Sequence, residues 1–330
     1  MKKLIFVLSV LLLVIQCKSQ DQTLDEILLL KYEQHFISSG DNFPEISLFK
    51  NDRYKFLIGL HNGFHENDIR KKLNWSDEES KSQIELLKNN GYLKEKDGSL
   101  FASISIIMNN EGQELFKQAE QVAEDIAQSI IMIDPEMKRK YLTLEVSEKH
   151  SYGDFKFFLL SDVLLDNWQI NNVESDFLKK ERTLRHGKRY FIQFAEKDSL
   201  MKKEVFGIYG NQYKCNDSIC YITYGNNRKN HHRSLKELDS MNIPFLSKND
   251  QNILDEMAEF YKPKLIKILE ENRPRFTDLF DNSVFKDELP FEEFFIWYYH
   301  FIYTRATDIL AMKLHIEIPK SGIFRVKLEQ

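Results

Sequence analysis

Beyond its first fifteen residues the sequence lacks any long apolar run, and it contains only three cysteines. No later stretch approaches the roughly 20 apolar residues that a membrane-spanning helix needs. The chain also lacks low-complexity tracts, internal repeats and the short signatures of nucleotide binding, serine hydrolysis and zinc proteolysis. The sequence therefore predicts no cofactor and no metal. A hydrolase with a dispersed active site stays open, because such a site leaves no motif.

The residues that are present are typical of an ordinary folded protein. Apolar residues make up 42 % of the chain, charged residues 29 % and aromatic residues 13 %, which is enough to build a core. A chain of 330 residues is expected to hold about two or three domains of about 100–200 residues each. We expect an α+β fold. Its predicted parts are a leader (1–19), a mainly helical module (23–133), a mixed segment with a small antiparallel sheet (134–233) and a helical segment that ends in a β-hairpin (234–330).

The first twenty residues have the pattern of a bacterial export signal. Lys2 and Lys3 precede an apolar core over residues 4–15, which is too short to span a bilayer. The sequence Val-Ile-Gln-Cys ending at Cys17 resembles a lipobox and predicts that Cys17 is lipidated. Cleavage before Gln20 without a lipid and an uncleaved anchor are the alternatives. All three place the folded part outside the cytoplasm, in the cell envelope or secreted.

Positive charge is concentrated in residues 179–233. The whole chain carries −5, yet this segment holds thirteen Lys and Arg against five Asp and Glu, a local charge of +8. Tyrosines and phenylalanines alternate with the cations. The candidate residues for binding an anionic partner are Lys179, Lys180, Arg182, Arg185, Lys188, Arg189, Arg228, Lys229 and Arg233.

This basic segment predicts a partner from the cell envelope. On one face of a sheet, cations and aromatic rings are able to hold an anionic polysaccharide or a lipid head group. The alternative is that the aromatic side chains form the core and the charges form a solvated rim. In that case the partner is a protein of the envelope. The sequence indicates nothing about oligomeric state.

Two cysteines lie in this segment, Cys215 and Cys220, on either side of a turn-like tetrad between two predicted strands. Cysteines that face each other across a hairpin are able to form a disulfide, and an oxidising compartment favours it. The alternatives are free thiols, or a zinc site that also uses His231 and His232. The zinc spacing matches no common finger.

Residues 52–133 predict three short helices, a two-stranded hairpin and a long helix. Ser76 and Glu79 form a capping box at the third helix, and Asp97-Gly98 is a tight-turn dipeptide between Tyr92–Lys94 and Phe101–Met108. This order resembles the winged-helix domain of MarR-type regulators. The residues that carry the resemblance lie at 68–73, 86–93 and 110–115.

The resemblance implies that the third helix enters a DNA groove and that the hairpin contacts phosphates. Residues 76–90 of this chain carry four acidic residues against Lys81 and Lys88, and such a helix repels a phosphate backbone. We therefore expect a packing or protein-binding module and regard nucleic-acid binding as the runner-up.

The C-terminal part is predicted to be helical over 247–280, with breaks at Pro263 and Pro274. A long aromatic helix over Leu289–Lys313 is expected to be core rather than a ligand cage, because it is apolar on nearly every face. Two strands, Leu314–Pro319 and Ile323–Leu328, are predicted to form the final hairpin.

Two histidine positions are weighed against metal binding and catalysis. His61 and His65 are spaced like metal ligands, but Gly63 interrupts the helix that would align them. We therefore expect an exposed turn at this position. His300 is expected to be a hydrogen-bonded core residue.

Overall fold

The computed structural model describes residues 22–38, 42–197, 209–226 and 233–330, and over these residues the protein is α+β, as predicted. The helices are α1 (Leu24–Leu29), α2 (Arg53–His61), α3 (Glu66–Lys72), α4 (Asp77–Asn89), α5 (Asn109–Tyr141), α6 (Tyr152–Phe157), α7 (Ile170–Asn172), α8 (Leu235–Asp239), α9 (Lys248–Glu271), α10 (Arg273–Asp281), α11 (Phe285–Glu288) and α12 (Phe291–Lys313). The strands are β1 (Tyr32–Ile37), β2 (Leu93–Lys96), β3 (Ser99–Ala102), β4 (Ser105–Ile107), β5 (Leu184–Arg185), β6 (Lys188–Arg189), β7 (Phe191–Glu196), β8 (Tyr209–Cys215), β9 (Ile219–Asn226), β10 (Phe245–Leu246) and β11 (Ile323–Glu329).

Three of the predicted site residues lie outside the described residues. They are Cys17, Arg228 and Lys229, and the predicted leader lies there as well. Among the described helices, none is both long enough and apolar enough to cross a membrane.

In the first module, residues 52–133, neighbouring residues set the ends of the helices. Helices α2, α3 and α4 are followed by the β2–β3 hairpin and by α5, in the predicted order. The side chain of Ser76 accepts a hydrogen bond from the amide of Glu79, which begins α4. Gly91 has a φ of +70° directly after α4, where an L side chain would be strained.

The hairpin of this module is shorter than predicted. Asp97 and Gly98 both have positive φ and form the turn, and Leu93 pairs with Ala102. The predicted second strand, Phe101–Met108, is divided into β3 and β4. Strand β4 leaves the hairpin and pairs in parallel with β7, where Ile106 and its neighbours are buried.

Two sheets lie beyond the hairpin. Strand β7 lies between β1, which runs antiparallel to it, and β4. The second sheet has the order β10-β11-β9-β8, in which β8 and β9 form the predicted cysteine hairpin. Hydrogen-bonded strands therefore cross both predicted segment boundaries, at residues 133 and 233.

The predicted C-terminal hairpin is wrong. Residues 314–319 form no strand, and β11 pairs antiparallel with β9, so that Val326 lies opposite Ile222. An isolated hairpin is marginal in water. Pairing with β9 instead buries Ile323 and Val326 against the core.

The aromatic helix is core, as predicted. In α12 the side chains from Phe294 to Tyr303 are buried except at His300, and the helix packs mainly along α5. Nδ1 of His300 donates a hydrogen bond of 2.7 Å to the carbonyl of Ile296, as expected for a hydrogen-bonded histidine. Burial lowers the pKa of His300 to about 4, so the ring is neutral.

The break predicted at Pro263 is also wrong. Helix α9 continues through Pro263 and ends at Glu271, and Pro274 lies in the first turn of α10. An internal proline costs about 3 kcal/mol. The buried face of α9, which includes Leu254, Met257, Tyr261, Leu265 and Leu269, offsets that cost.

Candidate functional site

The most unusual local structure is a buried π-helical segment. Helix α6 continues as a π-helix over Phe158–Val163, and every residue of that segment is buried. The Ser161 hydroxyl lies 2.6 Å from the Thr307 hydroxyl of α12 and also contacts the phenol of Tyr224. Because π-helical turns are less stable than α-helical turns, they are found mostly at functional sites.

Two carboxyl groups are buried at this segment, those of Asp162 and Asp166, with 0 % and 5 % of each residue exposed. The side-chain amide of Asn211, on β8, donates to both, at 2.8 Å to Asp162 Oδ1 and 3.0 Å to Asp166 Oδ2. The backbone N–H of Asn167 also donates to Asp162 Oδ1, at 3.3 Å. We call Asp162 and Asp166 the acid pair.

The acid pair has no cationic partner among the described residues. Within the described ranges, neither carboxyl group forms an ion pair with a Lys, Arg or His side chain. Burial raises the pKa of Asp166 to about 7, and hydrogen bonds from Tyr303 and Asn211 act in the opposite direction. Burial, and then the neighbouring Asp166, raise the pKa of Asp162 well above its ordinary value. Burial without a cation therefore favours the protonated form of the pair.

A cleft of about 390 Å³ lies next to the acid pair. We call it the amide cleft, and its lining includes Asn167, Trp168, Asn171, Tyr213, Asp255 and Glu259. The phenol of Tyr213 donates to the side-chain carbonyl of Asn167. Asn167 therefore contacts both the acid pair, through its backbone, and the wall of the cleft, through its side chain.

A second cleft of about 410 Å³ adjoins the first, and Asn171 lines both. We call it the lysine cleft, because Lys179 and Lys180 line it together with Glu174 and Glu181. A second π-helical segment, Val173–Leu178, follows α7 and contributes to the lining of this cleft.

Arg185, a predicted surface cation, is buried, so its assignment to an exposed patch is wrong. Only 3 % of the residue is exposed. Its guanidinium group lies 2.6 Å from Glu293 Oε2 and donates to the carbonyl groups of Gly91, Tyr190 and Ser103. The side chain of Arg185 points inward from the short β5–β6 hairpin. There it pairs with the carboxylate of Glu293 on the buried face of α12.

The other described cations lie nearer the surface and are paired. Arg182 forms a bidentate ion pair with Glu174, and Arg189 lies 2.8 Å from Glu181. Lys179 lies 3.9 Å from Glu270, and Lys180 lies 3.2 Å from Glu292. Lys188 and Arg233 also have interaction partners. Of the seven predicted cations that the structure describes, only Lys179 and Lys180 come together at a cleft.

Cys215 and Cys220 are opposite each other in the β8–β9 register, with their sulfur atoms at disulfide distance and their Cα atoms 4.0 Å apart. The pairing expected from the hairpin pattern is therefore present. His231 and His232, the other ligands of the rejected zinc site, lie outside the described residues. In the part of the chain that the structure describes, no cluster of His, Cys, Asp and Glu is arranged to hold a metal ion.

The prediction of an exposed histidine turn is wrong for His61. Its side chain is 1 % exposed and lies between two carboxylates, with Nδ1 2.8 Å from Glu288 and Nε2 3.1 Å from Glu111. Burial alone would lower the pKa of His61, but the two carboxylates more than offset this and raise it well above its ordinary value. The three side chains join α2, α5 and α11, and we call them the histidine clamp. His65 is exposed, as predicted.

The sequence matches no protein-family model, and no curated protein and no solved structure gives a significant match. The comparisons therefore identify no family.

The acid pair was missed in the sequence, although a signal for it exists. Asp162 and Asp166 interrupt an otherwise apolar run that begins at Phe157. A carboxyl group within such an apolar segment is expected to be buried.

Proposed function

We propose that this protein is an exported binding protein of the cell envelope and that it takes an acidic polysaccharide across the amide cleft and the lysine cleft. The observation that carries the proposal is that the two clefts share Asn171 and offer complementary groups side by side. One supplies amides, carboxylates and aromatic rings, and the other supplies two ammonium groups.

The lining of the amide cleft suits sugar hydroxyl groups. The side-chain amides of Asn167 and Asn171 are able to donate and to accept, and the carboxylates of Asp255 and Glu259 accept from hydroxyl groups. Trp168 and Tyr213 offer apolar ring surface. Sites of this kind combine a few oriented polar groups with aromatic walls.

The lysine cleft suits the negative groups of the same polymer. The side chains of Lys179 and Lys180 are 70 % and 59 % exposed, so each one is free to turn towards a ligand. Their present partners, Glu270 and Glu292, are held in ion pairs at the surface, which contribute only about 0–1 kcal/mol each. An incoming sulfate or carboxylate is therefore able to replace them.

We expect the Lys179→Gln/Lys180→Gln variant to bind chondroitin sulfate oligosaccharides at least tenfold more weakly than the wild type. The loss arises because two charge-assisted contacts are removed. It should be measured by isothermal titration calorimetry at low salt. Binding by the wild type should also weaken as salt rises, because the Debye length falls from about 10 Å at 0.1 M to about 3 Å at 1 M.

The matched control is the variant Lys72→Gln/Lys117→Gln, in which two exposed lysines with acidic partners are neutralised far in sequence from every residue that lines either cleft. It should bind like the wild type. Equal affinity in both double variants, or no binding by the wild type, would overturn the proposal. Binding to vesicles with anionic lipids but not to the oligosaccharide would assign the lysines to a lipid head group instead.

Export and lipidation are tested on protein purified from its host. If the chain is exported, cysteines 215 and 220 should be oxidised, because disulfides persist in oxidising compartments. Trypsin leaves both in one peptide, Cys215–Arg228. This peptide should resist alkylation until it is reduced. Mass spectrometry should also find a diacylated N-terminus at Cys17.

Each outcome of that measurement has a distinct meaning. Alkylation of Cys215 and Cys220 without reduction, together with an intact N-terminus, would contradict export. An unmodified N-terminus at Gln20 with an oxidised peptide would keep export and exclude the lipid anchor.

We also propose that residues 52–133 are a packing module of the winged-helix type rather than a DNA reader. Helix α4 begins with Asp77, Glu78 and Glu79, and these charges oppose contact with phosphates. The hairpin is tied to α11 through Lys96, which lies 2.8 Å from Asp287.

A further inference from the structure

Within the described part of the chain, no positively charged side chain neutralises the acid pair. Two carboxyl groups share a single amide donor group, that of Asn211, in a buried place. Oxygen Oδ2 of Asp162 has no hydrogen-bond partner among the residues that the structure describes. A buried carboxylate without a cation is costly, and such groups are stable in the core only when protons neutralise them.

The pair is connected to the amide cleft through two short paths. Along the chain, Asn167 directly follows Asp166, donates its N–H to Asp162 and accepts from Tyr213. Along β8, Asn211 and Tyr213 are two residues apart, so both side chains lie on the same face of the strand. A movement of Asn211 or Asn167 therefore changes the wall of the cleft.

We propose that the acid pair is a proton-dependent latch. While the pair is protonated, it holds the wall of the amide cleft in its present shape, and when the pair is ionised, that wall is released. A regulatory role of the latch rests on the proposed function of the cleft. The change in the wall of the cleft with pH does not depend on that function. Both groups are too deeply buried to touch a ligand, so we assign them to positioning and not to catalysis.

The phenols that face the pair stay uncharged at neutral pH. The phenols packed around it are Tyr213 and Tyr224 from the sheet and Tyr299 and Tyr303 from α12, and burial raises the pKa of each one. Asp308 of α12 accepts a hydrogen bond from the phenol of Tyr209, and Asp255 and Glu259 of α9 line the cleft. These three are acids and add no positive charge.

The sign of the effect follows from the direction of the shift. Because the folded-state pKa of the pair is raised, its contribution to stability is fully present below the ordinary pKa of an aspartic acid. That contribution is lost as pH rises through the folded value, which is about 7 for Asp166. Above it, a negative charge forms on the buried Asp166 carboxyl group directly beside Asp162.

The test uses the fluorescence of Trp168, which lines the cleft, and needs no ligand. The other two tryptophans, Trp75 and Trp297, are buried, so quenching by acrylamide reports mainly on Trp168. We expect the quenching constant of the wild type to rise at least twofold between pH 6 and pH 8. In the variant Asp162→Asn/Asp166→Asn it should stay constant, because the amides imitate the protonated acids.

The matched control is Asp68→Asn/Asp97→Asn, which neutralises two exposed aspartates that line neither cleft and should keep the pH dependence of the wild type. A constant wild-type signal, or the same rise in the acid-pair variant, would overturn the latch. So would loss of the rise in millimolar Ca²⁺, since the pair would then be a cation site.

A second measurement covers the case in which the acid-pair variant does not fold. Hydrogen exchange of the Asn167 amide in the wild type, corrected for the intrinsic effect of pH, should accelerate from pH 6 to pH 8. Constant protection of this amide would contradict the proposal. Because neither measurement uses a polysaccharide, failure of the latch and failure of the proposed ligand are distinguished.

Discussion

The Arg185→Met variant should lose about 3–5 kcal/mol of unfolding free energy, the usual cost of removing one partner of a buried ion pair. The loss arises mainly from Glu293, which is 0 % exposed and would be left without its cation. Three backbone carbonyl groups would also lose a donor. Urea denaturation at pH 7, followed by circular dichroism, measures the difference.

Two further variants separate the buried pair from the loss of a positive charge. Arg189→Met removes a cation four residues away whose side chain is 44 % exposed, and it should change the stability by less than about 1 kcal/mol. Arg185→Met/Glu293→Met should recover at least half of the loss, because apolar replacement of a whole buried pair is often neutral. Equal losses for Arg185→Met and Arg189→Met would show that Arg185 is at the surface in solution.

The second large effect is expected at the histidine clamp. His61→Gln should destabilise the protein by about 3–5 kcal/mol at pH 6, because it leaves the buried carboxylate of Glu288 without a positive partner. The folded pKa of His61 is raised, so its stabilising contribution is fully present below the unfolded value of about 6.5 and is lost as pH rises through the folded value.

The measurement compares urea denaturation of the wild type and His61→Gln at pH 6 and at pH 9. The difference in stability should not grow from pH 6 to pH 9, and it should fall once the pH approaches the raised pKa of His61, because the charged form of the ring is then lost. His65→Gln is the control, since His65 is exposed and makes only one capping bond, to the amide of Asn67. It should cost no more than about 1 kcal/mol. A difference for His61→Gln that grows towards pH 9 would contradict a charged clamp.

The sequence predicted those parts of the fold that depend on neighbouring residues. The start of α4 at Ser76 and the turn at Asp97-Gly98 follow from side chains that act over three or four positions. The aromatic helix α12 and the cysteine hairpin were predicted for the same reason, since their patterns are contained within one segment.

The errors concern distant partners. Arg185 and Arg189 look alike in sequence, and only Glu293, which is 108 residues away from Arg185, decides that one of them is buried. His61 is likewise buried by Glu288, 227 residues away. Strand β11 could not be assigned to β9 from its own residues. The clefts, too, are built from segments far apart in the sequence, and no motif marks them.

The position of β11 has a consequence for how the chain acquires its structure during synthesis. Strand β11 lies between β9 and β10, and its partner residues on β9 are about one hundred positions earlier. A ribosome delivers the chain from the N-terminus, so β9 keeps an unpaired edge until residues 323–329 emerge. Unpaired edges and sequence-distant pairing slow folding and expose the chain to aggregation. The nascent protein therefore depends on protection of this edge until its final strand has been made.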